Sequence, residues 1–87
     1  MLEQNFPNPV SLSAAPVTNI GYRTAGGRTS LRVYDMQGKL AATVLDTDVA
    51  PGRHEARFDT RALSAGTYVY RLESRGLVET RMLVVSR

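Results

Sequence analysis

Residues able to do chemistry are few in this chain, and their spacing restricts what they could do. His54 is the sole histidine. It sits in the alternating stretch "RHEARFD", on the side of Ala56 and Phe58, and no other metal-binding side chain stands near it at ligand spacing. A packed or hydrogen-bonded imidazole is expected there, rather than a base or a ligand. Asp46 and Asp48 in "LDTDVAPG" could offer two oxygens to calcium. The loop lacks the further carboxylate and the glycine of a dedicated calcium loop, which points to solvated turn residues. Serines and threonines are numerous, but no G-x-S-x-G elbow occurs, and one histidine leaves no freedom to build a triad. The paired glycines of "GYRTAGGR" have no strand, glycine loop and helix arrangement to cradle phosphate and read as a hairpin loop. Cysteine is absent, which removes disulfides and thiolate metal sites. The expectation is no catalysis and no cofactor.

The elements that would hold these residues are strands. "VTNIGYR" (17–23) places Thr18, Ile20 and Tyr22 on one face, and "SLRVYD" (30–35) sets Leu31 and Val33 against Arg32 and Tyr34. "DMQGK" follows as a hairpin turn, where Asp35 can accept backbone N–H bonds and Gly38 can take the left-handed conformation. "KLAATVLD" (39–46) alternates weakly, and its buried face is not readable. "RHEARFD" (53–59) alternates cleanly. In "SAGTYVYRLES", Gly66 precedes a strand with Tyr68, Tyr70 and Leu72 on one face and Val69, Arg71 and Glu73 on the other. "SRG" closes a short hairpin, and "LVETRMLVV" (77–85) returns with Val78, Thr80, Met82 and Val84 opposite Glu79 and Arg81. No window carries apolar residues at helical spacing. Six such segments, with a seventh short strand near "PVSLS", predict an all-β fold, an immunoglobulin-like antiparallel β-sandwich of six to seven strands. The chain of 87 residues is read as a single domain over 1–87, with an extended opening segment over 1–16.

Charge adds one constraint. Eleven Lys and Arg against eight Asp and Glu give a net charge of +3. Arg32, Arg53, Arg57, Arg71, Arg75 and Arg81 interleave with Glu55, Glu73 and Glu79, a pattern of paired charges on a solvated sheet face rather than a phosphate-tracking stripe. Nucleic acid is therefore not expected as a partner. No stretch approaches the roughly 20 apolar residues that a membrane-spanning helix needs. "MLEQNFPNPVSLSAAP" has no basic and apolar leader pattern, so an export signal, if the chain acts outside the cell, is expected upstream on a longer parent.

Read in order, "LEQNFPNPVSLSAAPVTNIGYR", "SLRVYDMQGKLAATV", "APGRHEARFDTRALSAGTYVYRLES" and "VETRMLVVSR" resemble the C-terminal sorting domain, type A, of the Bacteroidetes type IX secretion system. Asn5, Pro7, Asn8 and Pro9 match the family's opening motif; Tyr34, Asp35 and Gly38 match its hairpin; Gly66, Tyr68 and Tyr70 match its glycine-aromatic strand. Arg81, Met82, Leu83, Val84 and Arg87 match the terminal segment, which in this family carries much of the recognition information. Three departures are visible. The loop "NPVSLSAAPVT" is longer than usual, Ala41 replaces a larger apolar residue, and Arg81 replaces Lys.

The resemblance implies an address label at the end of a secreted protein. Its partners would be an N-terminally fused cargo domain, the outer-membrane translocon, and the shuttle and sortase proteins of the type IX system. Delivery would run through periplasm and outer membrane to the cell surface or medium of a Gram-negative cell, without direct membrane insertion by the domain. The last strand, as a sheet edge, is expected to be read by edge pairing or by its side chains, with Arg81 and Arg87 as charge contacts. Other readings stay open: a retained cell-attachment or spacer module, a carbohydrate-binding module, for which the lack of Trp leaves a poor platform, and a flagellar hook-capping-type immunoglobulin-like domain sharing the V-Y-D-x-x-G hairpin.

Overall fold

The computed structural model describes all residues, 1–87, as seven strands and no helix. They are β1 (Val10–Ser11), β2 (Val17–Thr24), β3 (Gly27–Asp35), β4 (Leu40–Val49), β5 (Gly52–Asp59), β6 (Gly66–Ser74) and β7 (Leu77–Ser86). One sheet has the order β1-β7-β6-β3-β4, and β2 pairs with β5 to cover its inner face. The result is the β-sandwich that the alternating segments predict. All pairs are antiparallel except β1 with β7, which run parallel.

The core follows from the period of two. Thr18, Ile20 and Tyr22 of β2, with Ala56 and Phe58 of β5, face Leu31 and Val33 of β3, Tyr68, Tyr70 and Leu72 of β6, and Leu83 and Val85 of β7. Burying each large apolar side chain contributes about 1.5–3 kcal/mol. His54 lies half-buried at the margin. Its ring stacks on Tyr22 with centroids 5.5 Å apart, and Nε2 is 2.7 Å from the Ala50 carbonyl.

Two strands depart from a simple alternation. In β4, Leu31 pairs with Leu45 but Arg32 with Thr43, and Val33 with Ala42 but Tyr34 with Leu40. Val44 and Ala41 are thus extra residues, two bulges that erase the period of two on this strand. In β7, the apolar residues Val78, Met82 and Val84 point out with Thr80, while Glu79 and Arg81 share the parity of the buried Leu83 and Val85.

The opening segment is built into the sandwich rather than lying beside it. Residues 1–6 add to β2 through the Leu2–Tyr22 and Phe6–Asn19 bridges, and Val10 and Ser11 then pair with Val85 and Ser86 on the other sheet. The segment therefore straps across one side of the sandwich. Leu2 and Val10 have no exposed surface at all.

Candidate recognition surface

The strap is held by polar atoms at both of its ends. Asn5, almost wholly buried, donates through Nδ2 to the Pro7 carbonyl and the Thr18 hydroxyl, each at 3.0 Å. Its Oδ1 accepts from Gln4 at 2.7 Å, and its backbone N–H donates to the Tyr70 hydroxyl at 2.9 Å. That hydroxyl in turn donates to the Glu3 carbonyl at 2.7 Å. Burial pushes the Tyr70 phenol above its ordinary pKa, and the Asn5 amide only partly opposes this. One buried phenol thus pins the strap at two points, the Glu3 carbonyl and the Asn5 N–H, to the five-stranded sheet. The bonds preceding Pro7 and Pro9 are both cis.

The same strap covers the rim of β7. Gln4 Nε2 donates to the Met82 carbonyl at 2.8 Å, Asn8 Oδ1 accepts from the Val84 N–H at 3.0 Å, and the Leu12 N–H reaches the Ser86 carbonyl at 2.8 Å. Further along, Glu79 Oε1 accepts from the Leu2 N–H at 3.0 Å and Arg81 Nε donates to the Leu2 carbonyl at 3.1 Å. The Leu2 amide holds the Glu79 carboxyl below the usual range. This corrects the expectation of an open terminal edge. From Met82 to Ser86 the backbone groups of β7 that face outward from the sheet are occupied by residues of the strap.

The hairpin residues behave as their types dictate. Asp35 Oδ1 accepts from the Gln37 and Lys39 N–H groups, both at 2.9 Å, and Gly38 has φ 84°. Gly38 is therefore needed for backbone conformation. Tyr68 is buried and donates to the Ser64 carbonyl at 2.7 Å. Gly66 begins its strand at φ 157°, with nothing within 4 Å of where a Cβ would stand, so no close approach requires it.

The five terminal residues do not form one patch. Leu83 is wholly buried, Arg81 clasps the strap, and Arg87 is exposed at the chain end. Met82 (53% exposed) and Val84 (36%) project from the outer face of the five-stranded sheet, which no second layer covers. There the register aligns Leu40, Tyr34, Val69 and Met82 in a row across four strands. A groove of about 330 Å³ beside the row is lined by Tyr34, Met36, Val69, Arg71 and Thr80. Arg71 lies opposite Arg32 in the register; its terminal nitrogen pairs with Glu73 at 3.3 Å, and its Nε has no acceptor. Asp46 gives its two oxygens to Arg28 and Arg32, which leaves that carboxylate committed to the sheet surface.

The sequence pattern of the secretion system C-terminal sorting domain matches residues 4–86. The chain belongs to that family. The match begins at Gln4 and ends at Ser86, so it contains the strap from Gln4 onward and the strand it covers. No curated protein matches the chain. The sorting domain is accordingly a type IX secretion signal, of a family whose role is sorting rather than catalysis, and membership implies interaction with the type IX machinery and a cargo fused ahead of it.

Three residues of the sorting domain's opening strap escaped the sequence reading. Leu2 and Gln4 hold the strap, and Phe6, at 78% exposed, is the most exposed large apolar side chain of the molecule. Phe6 was legible only as part of the opening "QNFPNP" motif, where no alternation indicates a face. Leu2 and Gln4 touch residues 77 to 78 positions away, beyond the reach of any local pattern.

Proposed function

We propose that this domain carries a fused cargo across the outer membrane to the cell surface, and that the machinery reads the outer face of the five-stranded sheet. The residues involved are Met82 and Val84, continued by Val69 and Tyr34, with Arg71 as a charged contact and Arg87 at the rim. The observation that carries this reading is the outward projection of Met82 and Val84 beside a strand rim that the strap already fills. Edge pairing from Met82 to Ser86 would first require the strap to leave. Side-chain recognition requires no rearrangement. Arg71 lines the groove with its terminal nitrogen paired to Glu73 on the same face, and its guanidinium supplies a charged contact for a carboxylate of the partner. Asn5, Pro7, Asn8, Pro9, Tyr34, Asp35, Gly38, Tyr68 and Tyr70 then act mainly by holding the platform in shape.

A periplasmic reporter fused ahead of residues 1–87, in a host with a working type IX system, tests the reading. Met82→Asp is expected to abolish surface delivery while leaving a folded, soluble domain. Undiminished delivery by Met82→Asp, with a melting temperature equal to the parent's, would refute it. Point changes are needed because deleting residues 81–87 also removes Leu83 and Val85 from the core.

A further inference from the structure

The turn between β6 and β7 holds the only non-glycine residue of the chain at positive φ, Arg75 at 51°, followed by Gly76 at 82°. A two-residue hairpin loop of this kind needs left-handed backbone at both positions, which Asn-Gly supplies at least cost. Arginine bears the steric penalty of its Cβ there. Within the chain its guanidinium recovers only one long contact, 3.4 Å to the Ala25 carbonyl. Its stem leans toward the neighbouring β2–β3 turn, with Cγ and Cδ 3.6 Å from where a Cβ on Gly27 would stand. Backbone strain that local contacts do not repay points to a role outside the fold.

Arg75 and Arg23, near the end of β2, both line a cleft of about 390 Å³ at this end of the sandwich. Neither makes an ion pair, and no carboxylate lines the cleft. Glu3, whose carboxyl is held below the usual range first by Arg53 and more weakly by Arg23, gives both its oxygens to Arg53. The Thr24 and Ser74 hydroxyls below are bonded to each other at 2.6 Å, so they claim neither guanidinium. Two arginines at one cleft, without counter-charge and with one placed at a backbone cost, are the composition of an anion site.

We infer that this cleft binds a phosphate-type oxyanion, with Arg23 and Arg75 as forked donors. The anion would arrive as a soluble phosphate ester or as a lipid headgroup. The inference is independent of the face that the secretion machinery reads. Its test is a titration of the isotope-labelled chain with inorganic phosphate at constant ionic strength, followed by amide chemical shifts. Saturable shifts at Ala25, Arg75 and Gly76 are expected. Arg75→Asn suits the turn and keeps the fold, and it should weaken binding about tenfold or more. Arg57→Gln, an exposed arginine on β5 without an ion pair, should bind as the parent does. Sedimentation with phosphatidylglycerol vesicles, against phosphatidylcholine vesicles, separates the sources. Binding to the anionic vesicles that Arg75→Asn loses assigns the headgroup, and phosphate binding without vesicle binding assigns a soluble ester. Shifts that never saturate, equal affinity in parent and Arg75→Asn, equal weakening by Arg57→Gln, or no binding to either probe would each overturn the site.

Discussion

Tyr70→Phe removes one oxygen and keeps the packing, so its effect isolates the pin that holds the strap. In the parent, that oxygen accepts from the Asn5 N–H at 2.9 Å and donates to the Glu3 carbonyl at 2.7 Å. Asn5 is only 2% exposed, so its N–H would be left without water or an acceptor, a loss of about 1–3 kcal/mol. The Glu3 carbonyl, on a half-buried residue, adds about 0.5–1.5 kcal/mol as an ordinary hydrogen bond. A combined loss of about 1.5–4.5 kcal/mol is expected, which in a domain of this size lowers Tm by roughly 6–35 °C. Tyr68→Phe is the internal comparison, because the Tyr68 hydroxyl serves the exposed Ser64 carbonyl and its loss should cost less than about 1 kcal/mol. Thermal unfolding by circular dichroism measures both. Amide exchange should accelerate at Asn5 and Phe6 in Tyr70→Phe well before it does in β3. A Tm within about 3 °C of the parent, or an effect no larger than that of Tyr68→Phe, would show that the phenol does not pin the strap.

Other consequences can be checked on the isolated domain. Leu2→Ala, at a site with no exposed surface, should cost about 2–5 kcal/mol in urea unfolding, although the residue stands one position from the chain end. Arg75→Asn should stabilise by roughly 1 kcal/mol, seen as a higher Tm, because asparagine tolerates the left-handed backbone better than arginine. The Asp59 carboxyl is lowered to about 2, first by the Arg61 side chain, and Arg53 and the Leu2 amide lower Glu3 and Glu79. Folded pKa values below the unfolded ones mean that this stability is present above the ordinary carboxylate range and is lost as pH falls through it toward 2. Tm measured from pH 6 to 2 should fall accordingly, and Asp59→Asn with Glu79→Gln should flatten the decline; the drop is small because these groups are exposed to solvent.

The strands that face water on one side and core on the other were legible in the sequence. Thr18, Ile20 and Tyr22, or Tyr68, Tyr70 and Leu72, alternate because the sheet buries every second side chain, and the Asp35–Gly38 turn announced itself by residue type. Strand β4 did not, since Ala41 and Val44 are inserted as bulges and shift the inward face twice within ten residues. In β7 the alternation was visible but its sense was not. Leu83 and Val85 fill the core, while the apolar Val78, Met82 and Val84 face solvent, which a single strand's pattern cannot distinguish from the reverse. The strap was the least legible part. Its partners in β6 and β7 lie 65 to 79 residues away along the chain, and its irregular, proline-rich backbone carries no period. Its seating decides whether the last strand offers an edge or a face.

Site-specific photocrosslinking in secreting cells tests that decision most directly. A photoreactive residue at Met82, on the outer face, should capture a component of the type IX outer-membrane machinery, and the same residue at Arg57, exposed on the opposite sheet, should not. Capture from position 57 alone, or from neither position while the cargo still reaches the surface, would contradict recognition through the outer face of the five-stranded sheet.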